Sequence, residues 1–224
     1  MKIFLIRHGE SIQNTKENNE KKLPDHKVYL TEKGKQEAEE AGKFLKQYLE
    51  ENDIDISNAT LWVSPYTRTR QTAEIINSIL EIEDIKEDIT LIEQRYGLFS
   101  DNSLTDIKEK YKEQFELYDR YYQNDGKFYA RMPQGESPYD VALRIKQFIN
   151  TLYRDIDEGK DTFFIVSHGT TIRCFVMDWF HKSPEWFNKE PNMENCSIRL
   201  IEKEENISEE KYIYKGPVRT KIKK

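Results

Sequence analysis

Two histidines in this chain stand in matching surroundings. Arg7-His8-Gly9-Glu10-Ser11 follows the apolar run Ile3 to Ile6, and Ser167-His168-Gly169-Thr170 follows the run Thr162 to Val166. A single histidine is most often a satisfied core residue, because imidazole both gives and takes hydrogen bonds. Here each one precedes a glycine at a strand-to-helix junction, where the backbone can approach a ligand closely and the helix start offers unpaired N–H groups to an anion. Phosphate suits such a place. Arg7 and Arg68 can each give forked hydrogen bonds to phosphoryl oxygens, and a neutral His8 can attack phosphorus. Glu93, after the third apolar run Ile89 to Ile92, adds a carboxylate able to move a proton.

The neighbouring charged residues compete for these roles and are weighed one by one. Arg68 and Arg70 are two apart, so on a helix their side chains diverge by about 200° and both are not expected on one phosphate. Arg95 and Arg131 read as surface residues. Glu10 suits a local structural carboxylate as well as a helper to His8. His26 lies in the charged segment Thr15 to Tyr29 with Lys16, Lys21, Lys22 and Lys27, a solvated loop that follows the nucleophile motif and could admit substrate. His181, after Trp179-Phe180, reads as packing. Neither Cys174 nor Cys196 is followed six positions later by Arg, so a thiolate mechanism lacks its anion cradle. Asp53-Ile54-Asp55 has Glu50-Glu51-Asn52 before it in place of an apolar strand and reads as a solvated helix end, and no glycine-rich G-x-x-x-x-G-K loop occurs.

Positioning these residues requires a scaffold, and the pattern of the chain supplies one. The runs Ile3–Ile6, Leu61–Val63, Ile89–Ile92 and Thr162–Val166 are nearly continuous in apolarity, as strands covered on both faces are. Between them lie amphipathic patterns: Ala38, Ala41, Leu45, Tyr48 and Leu49 behind a candidate N-cap at Thr31; Ala73, Ile76 and Leu80; and Val141, Ile145, Phe148, Ile149 and Leu152. This alternation predicts an α/β fold, a three-layer α/β/α sandwich with a mostly parallel central sheet. In such sheets ligands bind in the crevice at the strand carboxyl ends, where the residues above would converge. Ser197–Ile201 and Lys211–Tyr214 suit an edge hairpin, and Arg219–Lys224 a frayed end. A helical stretch around Lys108–Tyr122 lines up Tyr111, Phe115, Tyr118 and Tyr122, a stripe read first as packing and otherwise as a cap over the site.

Length and charge bound the rest. With 224 residues, the expectation is a single domain over 1–224 with a helical cap insertion around 102–132. The balance of 35 basic and 41 acidic residues, net −6, argues against nucleic acid and anionic lipid as partners and requires a focused positive site for any anionic substrate. Two cysteines make no disulfide framework, and Ile3–Ile6 is too short for the apolar core of a signal peptide, so a cytoplasmic setting is expected. An oligomer is possible but nothing in the sequence indicates one.

Taken in order, Arg7-His8-Gly9-Glu10-Ser11 with Asn14, Leu30-Thr31-x-x-Gly34, Ser64-Pro65-x-x-Arg68-x-x-Gln71-Thr72-Ala73, Glu93, Gly135-Glu136-Ser137 and Ser167-His168-Gly169 resemble the histidine phosphatase superfamily, which includes phosphoglycerate mutases and many phosphatases. The resemblance implies a phosphoglycerate mutase-like fold and a small phosphorylated substrate, with no cofactor and no metal. It implies that His8 becomes phosphohistidine, that Arg7, Arg68 and His168 neutralise the phosphoryl group, and that Glu93 protonates the leaving oxygen and later activates water. Ser11, Asn14, Gly169 and Thr170 would lie against the phosphate. Glu93-Gln94-Arg95-Tyr96-Gly97 is close to the mutase pattern, but Leu104 falls near where a mutase lysine is expected, and 114–132 offers no paired arginines. Pro24-Asp25-His26 and the aromatic stretch before Gly135 are similar to the broad-specificity phosphatases, so the expected activity is phosphomonoester hydrolysis. The alternatives are a mutase, a metal-dependent hydrolase using His8, His168 and Glu93, and a phosphate-binding module without turnover.

Overall fold

The computed structural model describes residues 1–15, 23–100, 102–205 and 207–216. The chain divides into two compact units, the first formed by Met1–Ile92, Thr151–Gly169 and Met193–Lys224, the second by Glu93–Asn150 and Thr170–Asn192.

The first unit holds one six-stranded sheet: β1 (Lys2–Arg7), β2 (Thr60–Val63), β3 (Asp84–Glu87), β4 (Thr162–Ser167), β5 (Ile198–Glu204) and β6 (Ile207–Tyr214), in the order β3-β2-β4-β1-β5-β6. The first four in that order run parallel, while β5 and β6 are antiparallel to their neighbours. The expected mostly parallel sheet and edge hairpin are both present. Strands β1, β2 and β4 are buried nearly throughout because both faces are covered, which is why they read as continuous apolar runs. On one face Phe4, Ile6, Leu61, Val63, Phe164 and Val166 pack with Ala38, Ala41 and Leu45 of α1 (Glu32–Glu51) and Ala73, Ile76 and Leu80 of α2 (Thr67–Leu80). Phe4 and Phe164, opposite each other in the β1–β4 register, stack at 4.6 Å.

One strand was misplaced by apolarity. The run Ile89–Ile92 is not a strand: Ile89–Leu91 makes a single 3-10 turn capped by the Asp88 side chain, which accepts from the Thr90 N–H. The third parallel strand is Asp84–Glu87 just before it, and its only apolar residue, Ile85, is 54% exposed. An edge strand pairs through its backbone on one side only, and its charged side chains discourage further pairing on the other, so it carries no hydrophobic signature. Asp53 lies beyond the end of α1 with φ 50 and is exposed, as a solvated helix end should be. Lys16, Lys21, Lys22 and the end Arg219–Lys224 lie outside the described residues.

In the second unit the stretch expected as one helix is two, α3 (Leu104–Lys110) and α4 (Lys112–Asp125), broken at Tyr111 with φ −130 and ψ 42. The aromatic stripe packs in part: Phe99 meets Phe115 at 6.4 Å and Tyr118 at 5.5 Å, though no residue of α4 is fully buried. Helix α5 (Pro138–Asp157) buries Val141, Ile145 and Phe148, and α6 (Gly169–Trp179) and α7 (Pro184–Lys189) follow. Arg131 pairs with Asp140, a structural role. His181 is exposed with φ 50 just past α6, so it is a turn residue and not the packing residue its aromatic neighbours suggested.

The loop after β1 is clamped to the start of α1. Thr31 caps that helix by accepting from the Gly34 N–H at 2.9 Å, the Thr31 N–H donates to the Glu10 carbonyl at 2.9 Å, and the Glu37 carboxylate takes the Glu10 N–H at 2.8 Å. A Cβ on Gly34 would sit 2.0 Å from the Glu10 carbonyl oxygen, and one on Gly9 would sit 2.4 Å from the Gly34 carbonyl oxygen. Ala for Gly inside a helix ordinarily stabilises by about 1 kcal/mol. At position 34 the sign should reverse: Gly34→Ala is expected to destabilise by about 1–3 kcal/mol, because two backbone segments must part. A melting temperature at or above that of the parent protein would refute this reading of the clamp.

Candidate active site

The sheet register brings the two histidines together. Arg7 lies opposite Ser167 at the carboxyl ends of β1 and β4, so the next residues, His8 and His168, stand side by side with ring centroids 5.2 Å apart at 64°. The ladder continues one step further as the His8 N–H donates to the Ser167 carbonyl at 3.1 Å. β2 ends at the same level, where the Ser64 N–H donates to the Val166 carbonyl at 3.0 Å and the Ser64 hydroxyl lies 2.8 Å from His168 Nε2.

His8 is 3% exposed and its Nδ1 lies 2.8 Å from the Gly9 carbonyl. A carbonyl can only accept, so Nδ1 carries the proton and Nε2 keeps its lone pair. Burial, and then the Arg68 guanidinium, push the His8 pKa down from 6.5 to about 3. Both act against imidazolium, the first by desolvation and the second by like charge. A neutral, correctly oriented imidazole is what nucleophilic attack on phosphorus requires.

The cationic donors are buried as well. Arg7, 5% exposed, donates through Nη1 to the Met193 carbonyl, while its buried Nε has no hydrogen-bond partner among the described residues. An orphaned buried donor of this kind is costly, and a ligand oxygen would satisfy it. Arg68, 3% exposed, projects from the first turn of α2, with its guanidinium 4.9 Å from the Tyr66 ring. The Tyr66 ring in turn meets His168 edge-on at 5.1 Å. Thr72, one helical turn after Arg68, donates its hydroxyl to the Arg68 carbonyl at 2.8 Å and accepts from the Gly9 N–H at 3.1 Å, tying the loop after His8 to α2. Arg70 points elsewhere and makes a two-bond pair with Glu87.

Ser11 is buried, and its N–H and hydroxyl both go to Asn14 Oδ1 at 3.1 Å. The Glu10 carboxylate accepts from the Thr31 hydroxyl at 3.0 Å and pairs with Lys33 at 2.9 Å, a local structural role. His26 is exposed, and its carbonyl accepts from the Thr67 hydroxyl.

Glu93 begins the second unit. Its half-buried carboxylate accepts from the Gln94 N–H at 2.9 Å and lies 3.4 Å from both the Thr170 N–H and the Thr171 hydroxyl, so the Thr170 amide is turned to Glu93. Gly169 is the first residue of α6. Tyr96, three residues after Glu93, is 41% exposed.

Four participants were not anticipated as such. They are Ser64 and Tyr66 against His168, the Met193 carbonyl on Arg7, and Asp25, whose carboxylate and carbonyl each take a bond of 2.8 Å from Arg68 Nη1. Ser64 and Tyr66 lie within a motif already singled out, so their position past a strand end was a usable signal; the Met193 carbonyl had none. Both cysteines are free and buried, with thiols pushed well above their ordinary range by burial. Among the described residues no group of three or more His, Cys, Asp or Glu side chains is arranged to hold a metal ion, and no helix is long and apolar enough to cross a membrane.

The histidine phosphatase superfamily (branch 1) model matches residues 3–212. Phosphoglycerate mutase-like protein AT74 of Arabidopsis thaliana is 35% identical over 213 residues, covering 90% of this chain, which spans 64% of the length of AT74. The broad-range acid phosphatase DET1 of Saccharomyces cerevisiae is 24% identical, with 92% of this chain and 86% of DET1 aligned. Among solved structures, the α-ribazole phosphatase of Shigella flexneri has the same fold, with a TM-score of 0.74 at 19% identity over 96% of each chain. The order of the motifs, the mostly parallel sheet and the match over nearly the whole chain agree, and the chain belongs to branch 1 of the histidine phosphatase superfamily.

Proposed function

We propose that this protein is a phosphomonoesterase that hydrolyses a small phosphate ester through a phosphohistidine on His8. The reading rests above all on His8: it is buried, deprotonated well below neutral pH, and held at Nδ1 by the Gly9 carbonyl so that Nε2 is the nucleophilic atom. In the first step Nε2 attacks phosphorus, the N–P bond forms as the ester P–O bond breaks, and the Glu93 carboxylic acid gives its proton to the departing alkoxide. In the second, Glu93 takes a proton from water, the hydroxyl oxygen bonds to phosphorus, and the N–P bond breaks to return His8 and release inorganic phosphate. Arg7, Arg68 and His168 stabilise the charge spread over the equatorial oxygens in both steps, work that fixed cationic donors do without a metal ion. Asn14 and the backbone at Gly169 are assigned to the ground-state phosphate.

Hydrolysis is favoured over isomerisation because the chain lacks the mutase-type lysine and paired arginines in 104–132 that would hold a sugar acid. The names of the broad-range acid phosphatase and the α-ribazole phosphatase point the same way. The mutase reading keeps one specific support, the Glu93-to-Gly97 pentapeptide, echoed in the name of AT74.

His8→Ala is expected to lower hydrolysis of a chromogenic phosphate ester by roughly 10³-fold or more. The acid-labile phosphoenzyme trapped in the parent protein should disappear with it, and turnover should persist in chelator; a phosphoenzyme surviving in the variant would overturn the assignment. Scoring a panel of phosphorylated metabolites for released phosphate against isomerised product separates phosphatase from mutase.

The pH dependence has a definite sign. A histidine with its pKa lowered to about 3 stays unprotonated as pH falls through 6.5, and its contribution is lost only near pH 3. A general acid, by contrast, gains activity as pH falls. After correction for ionisation of the substrate, kcat/KM should hold or rise from pH 7 to pH 5, with no limb near the ordinary histidine value. An acidic limb centred near 6.5 in the corrected profile of the parent protein would show that the nucleophile is not protected from protonation.

A further inference from the structure

Arg68 already holds an anion. Its Nη1 gives one hydrogen bond to the Asp25 carboxylate and another to the Asp25 carbonyl, both at 2.8 Å, while Nε and Nη2 make no hydrogen bond among the described residues. Asp25 lies on the 3-10 turn Asp25–Lys27, which is stitched to α2 at neighbouring points: the Thr67 hydroxyl donates to the His26 carbonyl at 3.0 Å, and the Leu30 N–H donates to Gln71 Oε1 at 2.8 Å. The turn is therefore fixed to the helix that carries the arginine. The arginine side chain is 3% exposed and that of its partner 27%, so the charge of a buried guanidinium is partly offset by a carboxylate near the protein surface.

We propose that Asp25 sets the strength of the phosphate site through Arg68: it fixes the guanidinium by one nitrogen, leaves the other donors for the phosphoryl group, and tempers the charge that a phosphate dianion meets. The inference rests on the reading of Arg68 as a phosphate ligand. A carboxylate sharing a guanidinium with a bound dianion repels that dianion, so the pair weakens product binding in exchange for a pre-aimed donor set. Asp25 is in this sense a positioning residue, acting on substrate through Arg68.

The test is Asp25→Asn, which keeps an oxygen acceptor for Nη1 and removes the charge. Titration calorimetry with inorganic phosphate, which needs no turnover, is expected to give a Kd three- to tenfold lower than that of the parent protein, with KM for a chromogenic ester falling in the same direction. Asp25→Glu, which keeps the charge, should stay nearer the parent than Asn does. A Kd for Asn that is unchanged or weaker overturns the proposal, and a lowered melting temperature with parental Kd reduces the pair to a structural tie and overturns it equally. Failure of the functional reading looks different: the parent protein would bind phosphate with the expected Asn effect yet form no phosphoenzyme.

Discussion

The proposed reaction asks an imidazole to stay neutral beside the cations that a phosphoryl group would need, and the surroundings of His8 meet that constraint. In water a histidine loses nothing by taking a proton at pH 6, but a ring that is 3% exposed and lies beside Arg68 would have to hold imidazolium without solvent and against like charge. Burying the neutral ring is inexpensive by comparison. The two requirements of the proposed site, positive potential for phosphate and an unprotonated base, are compatible, since the arginine assigned to the first also disfavours imidazolium at His8. The Gly9 carbonyl completes the arrangement by fixing which nitrogen holds the proton.

Holding an unprotonated ring in one orientation demands close backbone packing, and this explains several features that look unrelated. Gly9 and Gly34 approach so nearly that neither tolerates a Cβ, and Thr72 takes the Gly9 N–H, so the loop after β1 is held by α1 on one side and α2 on the other. Helix α2 thus carries Arg68 and also braces the loop after His8. The parallel pairing of β1 with β4 supplies the second imidazole, and Ser64 at the end of β2 orients it. Local sequence dictates none of these distances by itself; they follow from three strands ending at one level.

How much of this could be read from the chain depended on whether the signal was local. Strands β1, β2 and β4 announced themselves because coverage on both faces makes every position apolar, and Thr31 announced α1 by its cap. Strand β3 did not: at the sheet edge it needs no apolar face, and the neighbouring Ile89–Ile92 run offered a better hydrophobic pattern for a segment that makes only one turn. The break at Tyr111 was equally hidden, since the aromatic spacing runs on across it while the backbone does not. Arg7, His8, Arg68 and His168 were legible as a set because each stands at or shortly after the carboxyl end of an apolar run. Their partners Asp25 and the Met193 carbonyl were not, because a side chain reaching a distant carbonyl leaves no mark in the spacing of either segment.

The second unit meets a parallel problem by a different route. On the proposed mechanism Glu93 gives and retakes a proton, which needs a defined position, and the backbone that carries it is held by a largely buried ion pair. The Glu136 carboxylate accepts from Arg144 Nε at 3.1 Å and from the Arg95 N–H at 3.0 Å, while Arg144 Nη2 reaches the Glu93 carbonyl at 3.2 Å. Gln94 closes the arrangement by donating to the Glu136 carbonyl at 2.8 Å, and a Cβ on Gly135 would meet the Arg95 carbonyl oxygen at 2.4 Å. Buried ion pairs of this type contribute little net stability, because desolvation consumes most of the attraction. The value of this one is geometric: it ties Gly135-Glu136-Ser137, far along the chain, to the turn that presents Glu93. The Gly-Glu-Ser motif thus belongs with Glu93 in the structure, and its serine hydroxyl is turned to Asp140.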